Sequence, residues 1–243
     1  MQKYTLITGA SSGMGECCAK ELSHSRNIIL SGSNLERLQS VKSQCYYQEK
    51  HLIWCCDFAS QRSDIFESLS SLLKQNDALI VEFVHFAGVT QILPIKNFTI
   101  SYVDKIFNVN FFSAIEILRV LLRKNNQKAL TNVIFISAMV SRIGDKGNSI
   151  YAASKGAMNS LVYSLAQELA PMIRVNALLP GAIVTPMTET KVTQEHLDKL
   201  KVETPLGLGR PEDVIHYVEF LLSDSTHWIT GQTIFVDGGR STK

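Results

Sequence analysis

The chain has 243 residues, of which 45% are apolar, and 24 basic side chains stand against 22 acidic ones. That length and apolar share suit one large core, and doubly wound sheets of this size form one domain, so residues 1–243 read as a single domain. With a net charge of +2 and scattered lysines and arginines, the sequence gives no electrostatic basis for nucleic-acid binding.

A strand pattern follows Met1 within four residues, with no basic leader or cleavage-like segment. The longest apolar stretch, 78 to 89, is shorter than a bilayer span and contains Glu82 and His85. A soluble, cytoplasmic protein without a membrane segment is therefore expected. Cys17, Cys18, Cys45, Cys55 and Cys56 match neither a disulfide framework nor C-x-x-C ligand spacing and read as buried, reduced thiols. The six histidines show no H-x-x-x-H pattern, so no metal site is predicted.

In chain order, Tyr4–Thr8 reads as a buried strand. It runs straight into Gly9-Ala10-Ser11-Ser12-Gly13-Met14-Gly15 and then a helical pattern with Met14, Cys17, Cys18 and Leu22 on one face. Strand, glycine turn and helix form a phosphate cradle: glycines let backbone approach a pyrophosphate, and the helix N-terminus offers unpaired N–H groups. The spacing is G-x-x-x-G-x-G rather than G-x-G-x-x-G. A second strand over 27–32 ends in Gly32-Ser33-Asn34, with no carboxylate before Glu36 to grip a ribose 2′-hydroxyl. That leaves room for a 2′-phosphate, with Ser33 as donor and Arg37 as charge partner, and favours NADP(H) over NAD(H).

A third strand over 51–56 ends at Asp57, placed either to contact an adenine edge or to cap a helix. Residues 64–74 are helical, and 79–86 form a fourth, nearly all-apolar strand ending in Ala87-Gly88. One long helix is expected over 103–123, with Asn110 inside its apolar stripe. Further strands are expected at 133–136, 173–178 and 233–236, and a helix opening at Pro211. Residues 186–205 have no clear place and read as a mobile, charged substrate flap. Continuous apolar strands alternating with amphipathic helices imply a doubly wound α/β fold: a parallel sheet of about seven strands covered on both faces.

Tyr151-Ala152-Ala153-Ser154-Lys155 opens a helix running to about residue 170. Four residues apart, Tyr151 and Lys155 share one helical face, which permits proton chemistry. Bringing a phenol from pKa ~10 to ~7 takes roughly 4 kcal/mol of preference for phenolate. An adjacent ammonium in a partly dry cleft, helped by a second cation, can supply that amount.

Thr8 to Gly15 and Tyr151-x-x-x-Lys155, joined in order by Asp57, Ala87-Gly88, Asn110, Arg174-Val175-Asn176 and Pro180-Gly181-x-x-x-Thr185, resemble the short-chain dehydrogenase/reductase family over essentially the whole chain. The 3-oxoacyl-carrier-protein reductase branch is the most similar. The resemblance implies a Rossmann-type fold with a nicotinamide cofactor across the strand tips. Tyr151 would be the general acid, Lys155 would hold the nicotinamide ribose and lower the Tyr151 pKa, and Asn110 would anchor a relay water. It also places Gly9, Ser11, Ser12, Gly13, Met14, Gly15, Ser33, Asp57, Ala87, Gly88, Pro180, Gly181, Ile183 and Thr185 on the cofactor, with Thr185 at the carboxamide. A homodimer or homotetramer paired through 103–123 and 151–170 is likewise implied.

Two departures stand out. His85-Phe86-Ala87-Gly88 replaces the family's Asn-Asn-Ala-Gly, and the position of its catalytic serine, thirteen residues before the tyrosine, is Ala138. Ser137, Ser141 and Ser149 are the substitute hydroxyls within reach. The expected function is an NADP(H)-dependent oxidoreductase interconverting a carbonyl and a secondary alcohol. The alternative is a cofactor-binding partner subunit or sensor with little catalysis. Epimerases of the extended relatives share Tyr-x-x-x-Lys but carry a substrate domain for which this chain has no room.

Overall fold

The computed structural model describes residues 1–123, 126, 128–186, 188 and 193–242. Seven strands, β1 (Gln2–Thr8), β2 (Ile28–Gly32), β3 (Leu52–Cys55), β4 (Ala78–His85), β5 (Asn132–Ile136), β6 (Arg174–Pro180) and β7 (Thr233–Val236), form one sheet in the order β3-β2-β1-β4-β5-β6-β7. Every neighbouring pair is parallel. The helices among the described residues are α1 (Gly13–Leu22), α2 (Leu35–Lys42), α3 (Ile65–Gln75), α4 (Ile100–Phe107), α5 (Ser113–Leu121), α6 (Val140–Ile143), α7 (Ser149–Leu169), α8 (Gln194–Glu203) and α9 (Pro211–Leu222). None of them is long and apolar enough to cross a membrane.

Side chains alternate across a strand, so each strand feeds two cores. Leu6, Ile29, Phe83, Val133 and Phe135 face one layer, where α3, α5 and α7 contribute Leu69, Ile117 and Val162. Ile7, Ile28, Leu30, Val84, Ile134 and Leu178 face the other, closed by α1, α2 and α9 through Leu22, Leu38 and Val218. Phe83 and Phe135 are fully buried, and each such side chain is worth about 1.5–3 kcal/mol of transfer free energy. The near-continuous apolar runs in the sequence have this origin: a strand covered on both faces has no solvent side on which to alternate.

The structure differs from the sequence reading at four points. The long helix over 103–123 is interrupted: α4 and α5 are joined by a π-helical turn, Asn108–Phe112, that carries Asn110. Helix α2, which the sequence reading does not mark, is capped by the Asn34 side chain accepting from Arg37 N and buries Leu38 and Val41. Of the flap expected over 186–205, residues 187 and 189–192 lie outside the described residues. Residues 194–203 form α8, which buries Leu200. Cys55 is also exposed rather than buried, while Cys18, Cys45 and Cys56 are buried as expected.

Chain order reverses between β1 and β4, since β2 lies on one side of β1 and β4 on the other. In open α/β sheets a crevice forms at that switch point, outside the carboxyl ends of the strands. The glycine turn after β1 and the Ala87-Gly88 turn after β4 form its two lips.

Candidate active site

At the tip of β1 the backbone passes through Gly9 at φ +68°, where a Cβ would lie 2.8 Å from Ala87 N. Only glycine combines that dihedral with so close an approach to the end of β4. Ser12 precedes α1 in an extended conformation and its side chain makes no capping bond. The first-turn N–H groups of α1 are therefore left for an anion beyond the helix end.

A groove of about 410 Å³ opens there, lined by Gly9, Ser11, Ser12, Gly13, Met14, Gly15, Ser33, Asp57, Ala87, Gly88 and Thr185. These are most of the predicted cofactor residues, brought together from the loops after five strands, β1, β2, β3, β4 and β6. Pro180, Gly181 and Ile183 line a neighbouring pocket of about 210 Å³ instead, together with Tyr151 and Ala138. Met14 and Thr185 line both cavities, so groove and pocket meet between them.

The groove's far end carries no carboxylate at Ser33. Arg37 is exposed on α2 and is not part of the groove wall. Asp57 lines the groove, and its carboxylate accepts from Ala59 N at 3.0 Å and Ser60 Oγ at 2.8 Å, capping a turn rather than a helix.

Tyr151 and Lys155 lie on the first turns of α7. Lys155 is buried and donates from Nζ to Ile136 O at 2.7 Å, with Nζ 6.0 Å from the centre of the Tyr151 ring. A Cβ on Gly88 would meet Lys155 Nζ at 3.4 Å and Asn110 Oδ1 at 3.6 Å, so this glycine keeps open the floor of the groove beside both groups. Burial pushes the Lys155 pKa down to about 8 and the Tyr151 pKa up to about 12. The expected acidification of the phenol by its neighbour is thus absent in the protein alone, because desolvation of the phenolate outweighs an ammonium that is itself desolvated.

Asn110 is buried with its amide fully engaged. Oδ1 accepts from Val89 N at 2.7 Å, and Nδ2 donates to Val89 O at 3.1 Å and Ser154 Oγ at 3.0 Å. The side chain therefore pins the loop after β4 to α7. His85, in place of a family amide, has Nδ1 2.8 Å from Thr8 Oγ1. Burial and the nearby Lys155 push its pKa down to about 3, so the ring is neutral and joins β1 to β4 as a hydrogen-bonding group.

None of the three candidate serines offers the pocket a free hydroxyl. Ser137 lines the pocket, but its Oγ donates to Lys155 O at 3.1 Å. Ser141 donates to Ala138 O at 2.6 Å and accepts from Asn159 Nδ2 at 2.8 Å, and neither it nor the exposed Ser149 lines the pocket. Polar residues that the sequence reading does not single out also line it: Thr90, Gln91, Asp145, Asn148, Thr188, His196 and Arg240. Asn148 carries a signal in its spacing, three residues before Tyr151 on one helical face. His196 and Arg240 arrive from remote elements and have no such signal.

With the geometry established, comparison with known proteins identifies the class. Residues 9–241 match the family model described as enoyl-(acyl carrier protein) reductase. A 3-oxoacyl-(acyl-carrier-protein) reductase of Rickettsia prowazekii is 34% identical over 240 residues, covering 98% of this chain and 96% of that protein. Among solved structures, a short-chain dehydrogenase/reductase described as a glucose/ribitol dehydrogenase, from Brucella melitensis, superposes with a TM-score of 0.88 at 27% identity, covering 98% of this chain and 96% of its own. A 4-hydroxyisoleucine dehydrogenase complexed with NADH and succinate gives a TM-score of 0.86 at 25% identity, covering 98% of this chain and 100% of its own. The chain belongs to the short-chain dehydrogenase/reductase family of oxidoreductases. The alternative of a non-catalytic binding subunit finds no support among these relatives, which are named as reductases and dehydrogenases.

Proposed function

We propose that the chain is an NADP(H)-dependent reductase interconverting a carbonyl and a secondary alcohol, similar to the 3-oxoacyl-(acyl-carrier-protein) reductases it resembles, and acting as one cytoplasmic catalytic domain. The observation that carries this reading is the placement of α7 across the junction of the two cavities. Tyr151 lines the pocket, while the buried Lys155 brings its Nζ next to Gly88, which lines the groove. The groove fits a dinucleotide: glycine backbone and an uncapped helix N-terminus at its centre suit a pyrophosphate, and Ser33, with no carboxylate beside it, suits a 2′-phosphate. The NADH named for the 4-hydroxyisoleucine dehydrogenase supports a nicotinamide cofactor in a fold of this kind.

When bound, a reduced nicotinamide supplies the hydride that adds to the substrate's carbonyl carbon. Tyr151 gives its proton to the oxygen on which the former π pair collects. With a pKa of about 12 the phenol is fully protonated at neutral pH. It still lies below an alcohol, whose pKa is near water's ~16, so transfer to the nascent alkoxide runs downhill. Lys155 retains two further ammonium hydrogens for ribose hydroxyls beyond the one given to Ile136 O. In the reverse direction the phenolate is needed, and the positive charge of an oxidised nicotinamide would have to lower a pKa that the protein alone raises.

Incubation with NADPH and a panel of ketones, 3-ketoacyl thioesters and diketones, followed by loss of NADPH absorbance, tests the reading. Turnover that disappears in Tyr151→Phe is expected, and no Tyr151-dependent turnover on any carbonyl would overturn it. Because the matching family model is described as an enoyl reductase, the panel includes 2-enoyl thioesters, and reduction of these alone would move the chemistry from C=O to C=C. We further propose a homodimer or homotetramer through the faces of α4, α5 and α7, where Ile100, Phe112 and Tyr163 are exposed. Light scattering reading a monomer would remove that assembly.

A further inference from the structure

We infer that the side-chain amide of Asn148 is the hydrogen-bond donor to the substrate carbonyl, taking the place of the hydroxyl that Ala138 lacks; the inference rests on the reductase reading above. A carbonyl that accepts hydride needs a second donor beside the acid, since charge gathers on its oxygen before the proton is fully transferred. Ala138 offers a methyl, and the nearby serines are engaged or off the pocket wall.

Asn148 lines the same pocket as Tyr151 and Ala138 and is itself buried, at 9% exposure. It stands at the N-terminal boundary of α7, and its carbonyl accepts from Ala152 N at 2.7 Å, so it is joined to the helix that carries Tyr151. Residues three apart on a helix share a face, which holds the amide in fixed relation to the phenol.

Asp145, which also lines the pocket, sets the orientation of the amide. Nδ2 donates to Asp145 Oδ2 at 3.0 Å, and Asp145 Oδ1 accepts from Lys146 N at 2.9 Å. A carboxylate only accepts, so it dictates which end of the amide is nitrogen. The second N–H makes no hydrogen bond among the described residues.

The loop bearing this pair is itself clamped. Gly147 O accepts from Leu93 N at 3.0 Å, and Gly147, at φ +77°, packs so close to Ile92 that a Cβ would lie 2.7 Å from its Cγ2. Four other polar groups on the wall are less suited. Gln91 is exposed, Thr188 Oγ1 donates within its own turn, His196 stands on α8, and the Arg240 guanidinium is paired with Glu203 at 3.1 Å.

The test uses the intact protein with NADPH and the best ketone from the panel. It measures kcat, KM, NADPH affinity and thermal stability for Asn148→Ala, Ala138→Ser and the double variant. Asn148→Ala is expected to lower kcat by about 10²–10³-fold, the usual effect of losing such a donor, with NADPH affinity unchanged. Ala138→Ser alone is expected to gain less than about threefold, because the donor is already present. In the Asn148→Ala background the same serine is expected to restore kcat at least about tenfold.

Asn148→Ala retaining full activity overturns the inference, and so does a loss that the serine does not rescue, which assigns Asn148 to holding the loop. Should Asn148→Ala not fold, Ala138→Ser alone still decides: a gain of about tenfold or more would show that no donor was in place. An inactive wild-type protein fails the reductase reading itself, whereas an active wild type with an indifferent Asn148 fails only this assignment.

Discussion

The groove and the pocket meet at Met14 and Thr185 yet are built from different materials. The groove is largely backbone: a glycine turn at positive φ, an uncapped helix end and the Ala87-Gly88 turn, all fixed by strand tips that pair in one register, Thr8 against His85. The pocket is side chains from α6–α7, the turn after β6, α8 and the C-terminal Arg240. Backbone can be moved only by straining the sheet, while a pocket wall changes with any one substitution. That asymmetry accounts for a chain that keeps the glycines of its cofactor cradle and still has Ala138 where its family has a serine.

Substitutions at the junction give the largest separation of the two halves. Tyr151→Phe is expected to cut reductive kcat by about 10²–10⁴-fold while NADPH affinity, measured by calorimetry, stays within about twofold. A matching loss of NADPH binding would mean that the phenol belongs to the groove and not to the pocket.

Lys155→Met tests the cost of placing a cation under the groove. The pKa of Lys155 is about 8 when folded against an ordinary 10.5, so below pH 8 the folded chain bears the full penalty. Between pH 8 and 10.5 the unfolded chain holds more protons and this contribution to stability rises with pH. The variant is expected to be more stable than wild type at pH 7 by on the order of 1–3 kcal/mol, and to lose that advantage toward pH 10. Taking the difference between the two proteins in urea unfolding cancels the buried thiols, whose raised pKa values act in the opposite sense. NADPH affinity should fall in the same variant, and unchanged affinity would free Lys155 from the groove.

Gly9→Ala addresses the backbone half directly. Strain from φ +68° and the approach to Ala87 is expected to cost roughly 1–3 kcal/mol in thermal unfolding, with NADPH binding weakened in parallel. The smallest effect is expected at the groove's outer end. Ser33→Asp places a carboxylate near a 2′-phosphate, and two like charges ~4 Å apart repel by about 1 kcal/mol in a water-like dielectric, a factor of about five in affinity. The ratio of NADPH to NADH affinity should fall by at least that factor, and an unchanged ratio would place the 2′ position elsewhere.

How much was legible follows the same division. Strand runs, the glycine turn, Tyr151-x-x-x-Lys155 and the groove residues from Gly9 to Gly88 are all visible in sequence, because each is a short local pattern with one physical solution. The π-helical turn at Asn108–Phe112 is not: its residues fit an α-helix as well, and what decides is the tertiary demand that Asn110 bond to Val89 and Ser154. Helix α2 is hidden by its brevity, with only Leu38 and Val41 buried. The direction of the Tyr151 pKa is misjudged for a related reason: helical spacing places the ammonium nearby but says nothing of how dry the phenol is.

By itself, then, the order of residues determined a parallel sheet with helices on both faces and a phosphate cradle at the tip of β1, since hydrophobic period and glycine spacing act within a few residues. Only the tertiary structure decided which hydroxyls near Ala138 are engaged, that Asn148 shares a wall with Tyr151, and that Lys155 is buried while Tyr151 is half-buried. Burial and hydrogen-bond competition are settled between segments far apart in the chain, and no local pattern records their outcome.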